Sequence, residues 1–180
     1  MTIPIKVVKK YSTKANVFIE TGTHLGNTVE TARKAGFKKI YTIELSDNFY
    51  NLARKKFKPY PSIKCIHEDS SAKIKEVLAE LDEKAVFWLD GHWSMGDTAC
   101  GEKSVPLYEE LESIANHHIK NHIILIDDIR LLGDKSEKVD GWHDMSVKEV
   151  KKRLLNINPD YKFCTENGHI PDDILVAEIR

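Results

Sequence analysis

The chain has no cysteine pair at redox or zinc-ligand spacing. Its three cysteines, Cys65, Cys100 and Cys164, are odd in number, far apart and form no C-x-x-C. That argues against a disulfide framework and against a structural zinc site, and it suits a reducing cytoplasm. Long apolar runs are missing too. Runs such as Ala85–Leu89 and Ile123–Ile126 stop at five and four residues, whereas a membrane-spanning helix needs about 20. The N-terminal MTIPIKVVKKYSTK lacks the apolar core of a signal peptide, so a cytoplasmic location is expected. Neither sign of charge is in excess: 27 Lys and Arg face 28 Asp and Glu, a net charge of −1. No long-range field then favours nucleic acid or an anionic membrane, and neither is an expected partner. No repeat and no low-complexity linker divides the 180 residues, which are expected to form one domain, 1–180, with a substantial core.

What is present centres on residues 17–28, VFIETGTHLGNT. The apolar Val17-Phe18-Ile19 stops at Glu20; Thr21, Gly22, Thr23 and Gly26 follow, and a helical pattern begins near Asn27 and Thr28. This reads as a buried strand, a glycine-containing turn and a helix start, where backbone N–H groups lack helical partners and can face a ligand. The spacing G-x-x-x-G is not the G-x-G-x-x-G dinucleotide fingerprint. An acid just before the first glycine suits a ligand with a positive end.

Down the chain, strands are expected at 17–21, 39–45, 62–67, 85–90 and 122–127. Helical patterns separate them at 28–35, after Asp47 as a cap, at 72–81 and at 107–119. Residues 1–16 are a lead-in helix or an extended arm, 129–145 is irregular, and Ser146 caps a last helix. Segments 161–166 and 174–179 form a closing hairpin around Asn167-Gly168. Five strands alternating with helices, apolar throughout, predict a Rossmann-like, doubly wound, mostly parallel sheet; the antiparallel C-terminal hairpin brings it to seven strands. Ligands of such sheets bind beyond the carboxyl ends of the strands. There this sequence gathers Glu20, Glu44, Asp69, Asp90 and Asp127.

Each acid has a candidate task. Glu44, with Leu45 after it, stands where a carboxylate accepts from both hydroxyls of a ribose; a solvated strand end is the plain alternative. Asp69 and Ser70 are placed to meet an adenine amine and a ring nitrogen, or simply to cap the helix that follows. Asp90, Asp127 and Asp128 end two neighbouring strands, and three converging carboxylates are costly without a cation. A hard divalent ion such as Mg²⁺ relieves that, as would an arginine such as Arg130. His92, in LDGHW, has the ordinary pKa near ~6.5 of a general base, although a surface histidine is the usual alternative. His117, His118 and His122 are expected on a solvated face. Trp93 and Trp142 either stack on an acceptor ring or fill the loops' own cores.

ETGTHLGNT, IEL, EDSS, LDGHW and LIDD together resemble class I S-adenosylmethionine-dependent methyltransferases over residues 17–180. The likeness is nearest to the metal-dependent O-methyltransferases of the catechol and macrocin type. The resemblance implies cofactor contacts at Glu20, Thr21, Gly22, Thr23, Gly26, Thr28, Glu44, Leu45, Asp69, Ser70 and Asp90. It implies Mg²⁺ or another divalent cation on Asp90, Asp127 and Asp128, and His92 as the base by analogy with the macrocin type; the catechol type uses a nearby lysine. The implied reaction moves a methyl group to the hydroxyl of a small acceptor, a sugar, phenol or other alcohol. The chain lacks the long N-terminal extension of such enzymes, so the acceptor pocket is expected to be open or completed by a second subunit in a homodimer. An NAD(P)-linked oxidoreductase and a non-catalytic cofactor-binding module are the alternatives.

Overall fold

The computed structural model describes residues 2–134 and 141–180. Residues 135–140 of the expected irregular segment lie outside the described residues. Five parallel strands come first: β1 (Val17–Thr21), β2 (Lys39–Glu44), β3 (Ile63–His67), β4 (Ala85–Leu89) and β5 (Ile123–Ile126). β6 (Lys162–Glu166) and β7 (Ile174–Glu178) pair antiparallel, and β7 inserts beside β5. The order across the sheet is β3-β2-β1-β4-β5-β7-β6. β1 therefore lies between β2 and β4, and the chain reverses its direction of travel there, which opens a crevice at the strands' carboxyl ends.

Alternation along each strand sorts the core into two halves. Ile19, Phe87, Leu89, Ile124 and Ile126 face one side. Phe18, Val86, Trp88, Ile123 and Leu125 face the other. α1 (Ile5–Ser12), α2 (Asn27–Ala35) and α3 (Asp47–Phe57) bury Val7, Tyr11, Val29, Ala32, Ala53 and Phe57 on the Trp88 side. α4 (Ser70–Ala79), α5 (Leu107–Asn116) and α6 (Val147–Ile157) bury Ile74, Leu78, Leu111, Ile114, Val150 and Leu154 on the Phe87 side. Each helix shows its apolar residues at three- and four-residue spacing, so one stripe meets the sheet. No described helix is long and apolar enough to cross a membrane.

Several expected boundaries move for local reasons. Residues 5–12 of the lead-in are helical, held by Lys10 and Tyr11 on Glu166 and by Lys14 on Glu178. Asp47 opens α3 rather than capping it; Ser46 holds the cap position and its side chain makes no cap hydrogen bond. α4 starts two residues early because the Asp69 carboxylate accepts from Ser71 N–H. Ser146 caps α6 as expected, accepting from Glu149 N–H at 3.1 Å.

Two of the three histidines correct the expectation of a solvated face, while His118 is exposed as expected. α5 ends at Asn116, and His117 and His122 are buried. Ala85 N–H donates to His122 Nδ1 at 3.1 Å, His117 Nδ1 and His122 Nε2 lie 2.9 Å apart, and His117 Nε2 lies 3.1 Å from Leu81 O. With Nδ1 of His122 accepting, its Nε2 carries the proton and donates to His117, whose Nε2–H goes to the carbonyl. Burial pushes the His122 imidazole down to about 3. The cluster is a neutral strut between strand starts, at the end of the sheet away from the acids.

Candidate functional site

A cavity of about 510 Å³ opens at the carboxyl ends of the strands. Of the residues assigned above, Gly22, Thr23, Thr28, Glu44, Leu45, Asp69, Ser70, Asp90 and His92 line it. The turn after β1 reaches the cavity because Gly22 takes φ +83°, and a Cβ there would lie 2.5 Å from the Asp90 carbonyl oxygen. No other residue fits this approach without strain.

Glu20, Thr21 and Gly26 do not line the cavity; each supports the wall from behind. Glu20 is buried and accepts from Thr42 Oγ1 at 2.6 Å and from the Thr28 hydroxyl, while Thr42 and Thr23 hydroxyls lie 2.5 Å apart. Burial pushes its carboxyl up to about 8, so it is largely protonated at neutral pH. The direct contact expected for Glu20 gives way to a buried brace joining β1, β2 and α2. Gly26, at φ +68°, sits at the start of α2 against the Phe57 ring.

On the β2 side the wall is built of satisfied carboxylates. Glu44 Oε2 accepts from His24 N–H at 2.7 Å and Oε1 from Ser46 N–H at 2.8 Å. Two backbone donors fix its orientation and still leave lone pairs for the cavity. Asp69 is more fully engaged. Its Oδ1 accepts from Ser71 N–H and Oγ, at 2.9 and 2.6 Å, and its Oδ2 from Glu102 N–H at 3.2 Å. A Cβ on Gly101 would stand 2.0 Å from that Oδ2, so residues 93–104 strap across the cavity with Gly101 pressed on Asp69. Within the strap, Trp93 Nε1 donates to Thr98 O and Ser94 N to Thr98 Oγ1. Trp93 thus lines the cavity, and its indole N–H is already used.

On the β4–β5 side carboxylates face each other. Ligand atoms of Asp90, His92 and Asp128 lie within 4.8 Å of one another, and so do those of Asp127, Asp128 and Asp173. Asp128 belongs to both groups, so the expected trio becomes a longer chain that draws in His92 and Asp173. His92 stands between two acids, with Nδ1 3.4 Å from Asp90 Oδ1 and Nε2 3.3 Å from Asp128 Oδ2. Trp142 is buried edge-on against the His92 ring at 5.0 Å and holds it there, so this tryptophan belongs to the loop core. Arg130 Nη1 bridges Asp128 and Asp173, the arginine pairing weighed for this region, and the backbone N–H of Arg130 donates to Asp173 Oδ1. Asp128 adopts φ +56°, which swings the chain over so that Arg130 can reach back.

Asp127 Oδ1 is buried with no hydrogen-bond partner among the described residues. Burial, with the adjacent Asp128 carboxylate adding, pushes Asp127 up to about 7, and burial first, then Asp127 and Asp128, raises Asp90 well above the usual carboxylate range. An orphaned buried oxygen among oxygen ligands, beside an imidazole, is a donor set that fits a hard divalent cation.

Sequence reasoning missed four participants. His24 and Phe49 line the cavity and pack edge-on at 4.3 Å; His24 lay inside the singled-out turn, and Phe49 carried no signal. Asp173 is brought in only by the pairing of β7 with β5. Glu110 is buried inside α5, where YEELES gave no sign of a role.

Comparison with known proteins gives no match to any family model and none to a curated protein. Solved structures do match. An O-methyltransferase from Bacillus cereus, in complex with SAH, is 12% identical with a TM-score of 0.66, over 98% of this chain and 80% of that one. TomG from Streptomyces achromogenes, an O-methyltransferase involved in tomaymycin synthesis and bound to SAM, is 15% identical with a TM-score of 0.61, over 97% of this chain and 78% of that one. The SAH-bound methyltransferase PaMTH1 of Podospora anserina is 15% identical with a TM-score of 0.62, over 98% and 76%. At these identities the likeness shows the fold: the chain is built like S-adenosylmethionine-dependent methyltransferases, with the sheet and the C-terminal hairpin expected from its sequence.

Proposed function

We propose that the protein is an S-adenosylmethionine-dependent, divalent-cation-dependent O-methyltransferase acting on the hydroxyl of a small acceptor. The observation that carries this reading is Glu44. Its carboxylate is fixed by the N–H groups of His24 and Ser46 at the mouth of a cavity deep enough for a nucleoside. Fold neighbours of the same topology bind SAM or SAH.

In this reading Glu44 accepts from the ribose hydroxyls, and Asp69, Ser70 and the strap over them enclose the base. Gly22 and Thr23 let the backbone approach the amino-acid end of the ligand. S-adenosylmethionine, when bound, supplies the methyl group: its C–S bond breaks as the bond to the acceptor oxygen forms, leaving S-adenosylhomocysteine. Asp90, Asp127 and Asp128 would hold the cation, which when bound supplies Lewis-acid polarisation of the acceptor hydroxyl. His92 takes the hydroxyl proton, and Asp90 and Asp128 on either side of the ring stabilise the imidazolium that results. Trp142 keeps the ring from rotating away. Much of the rate comes from alignment, since a sulfonium methyl is already reactive. The three unpaired cysteines suit a cytoplasmic setting.

Calorimetry with S-adenosylhomocysteine and, separately, with NAD tests the reading. Micromolar binding of the first and none of the second is the expected result; tight NAD binding without homocysteine-analogue binding would overturn it in favour of an oxidoreductase. A panel of sugars, phenols and other alcohols, assayed for cofactor consumption with and without Mg²⁺, then identifies the acceptor class.

A further inference from the structure

We propose that Glu110 is a positioning residue: its carboxyl gathers Thr21 of β1, Ser70 of α4 and Gly91 beyond β4 beneath the cavity, and so sets the nucleoside wall against the exit of β4. The inference rests on the methyltransferase reading and adds a residue that touches neither cofactor nor acceptor.

Glu110 lies on the inward face of α5 at 1% exposure, among Leu107, Leu111 and Ile114, where an apolar residue would be expected. Ser70 Oγ donates to its Oε1 at 2.6 Å. Thr21 Oγ1 accepts from Asp90 N–H at 3.3 Å, which leaves its own proton for the same carboxyl. A Cβ on Gly91 would stand 3.0 Å from Glu110 Oε1, 3.1 Å from Ser70 Oγ and 3.1 Å from Thr21 Cβ. Three segments that carry the site therefore converge on one point: Ser70 and Thr21 share Glu110 as acceptor, and Gly91 packs against it. It is absent from the lining of the large cavity. A buried carboxyl is costly, and its pKa is pushed up to about 7 by that burial. A leucine would pack there more cheaply, so the carboxyl is explained by the two hydroxyls it orients. With the Ser70 hydroxyl turned inward, the Ser70 backbone is what remains to face the base.

The test compares wild type, Glu110→Gln and Glu110→Leu by thermal unfolding and by calorimetric titration with S-adenosylhomocysteine. Gln keeps an acceptor for one hydroxyl and Leu keeps none. The Leu variant is expected to melt at or above the wild-type midpoint yet bind about tenfold more weakly, with Gln recovering most of that loss. A purely structural role would move the midpoint and leave the affinity alone. A folded Leu variant with wild-type affinity would overturn the proposal. If that variant does not fold, Thr21→Val decides: a several-fold weaker affinity supports the role, and an unchanged one overturns it. A wild-type protein that does not bind the ligand at all overturns the methyltransferase reading and this role with it.

Discussion

The two halves of the carboxyl edge treat their acids in opposite ways. Around β2 and α4 each carboxylate is met by backbone or hydroxyl donors: Glu44 by two N–H groups, Asp69 by Ser71 and Glu102. Around β4 and β5 acids lie against other acids, with Arg130 and His92 among them and, among the described residues, one oxygen of Asp127 without a partner. The first half is finished by the fold. The second keeps a buried carboxylate oxygen unmatched among the described residues, a contrast the proposed function reads as a nucleoside site beside a cation site.

Chelation is expected to break that contrast most visibly. Removing divalent ions should reduce methyl transfer at least about 100-fold, with S-adenosylhomocysteine affinity within about twofold; assays in chelator and in excess Mg²⁺ check it. Next, Glu44→Gln should weaken S-adenosylhomocysteine binding by about 10- to 100-fold, the scale of a charge-assisted hydrogen bond, while any Mg²⁺-induced rise in melting temperature persists. Gly22→Ala joins the halves, since its methyl would meet the Asp90 carbonyl at 2.5 Å with φ at +83°. It should cost about 1–3 kcal/mol of stability, read by denaturant unfolding.

The smallest effect concerns pH. Glu20 has its folded pKa raised from 4.5 to about 8 by burial. The fold binds a proton that the unfolded chain releases, so the stability Glu20 contributes is present at low pH and is lost as pH rises through about 8. The melting temperature should fall by a few degrees between about pH 5.5 and about pH 8.5, and Glu20→Gln should flatten that decline.

Much of this was legible in residue order. Apolar strands ending in Glu20, Glu44, Asp90 and Asp127 announced a parallel sheet and the edge where the cavity opens, because side-chain period and strand direction are local properties. The hairpin was legible from Asn167-Gly168 between two β-rich segments. What escaped depended on contacts distant in sequence. Asp173 meets Asp128 and Arg130 only because β7 inserts beside β5. Glu110 reads as one more acid in YEELES until its burial is known. Glu20 looked like a ligand contact since nothing in the turn shows that Thr42, on the next strand, claims it. His117 and His122 looked solvated because their neighbours, Leu81 and Ala85, come from elsewhere in the chain.

The division of the edge is tested most directly by Asp127→Asn, titrated with S-adenosylhomocysteine and melted with and without Mg²⁺. An unchanged dissociation constant with the Mg²⁺-induced rise in melting temperature lost is the predicted result. A loss of nucleoside affinity as large as that of Glu44→Gln, or a Mg²⁺ response that survives, would contradict it.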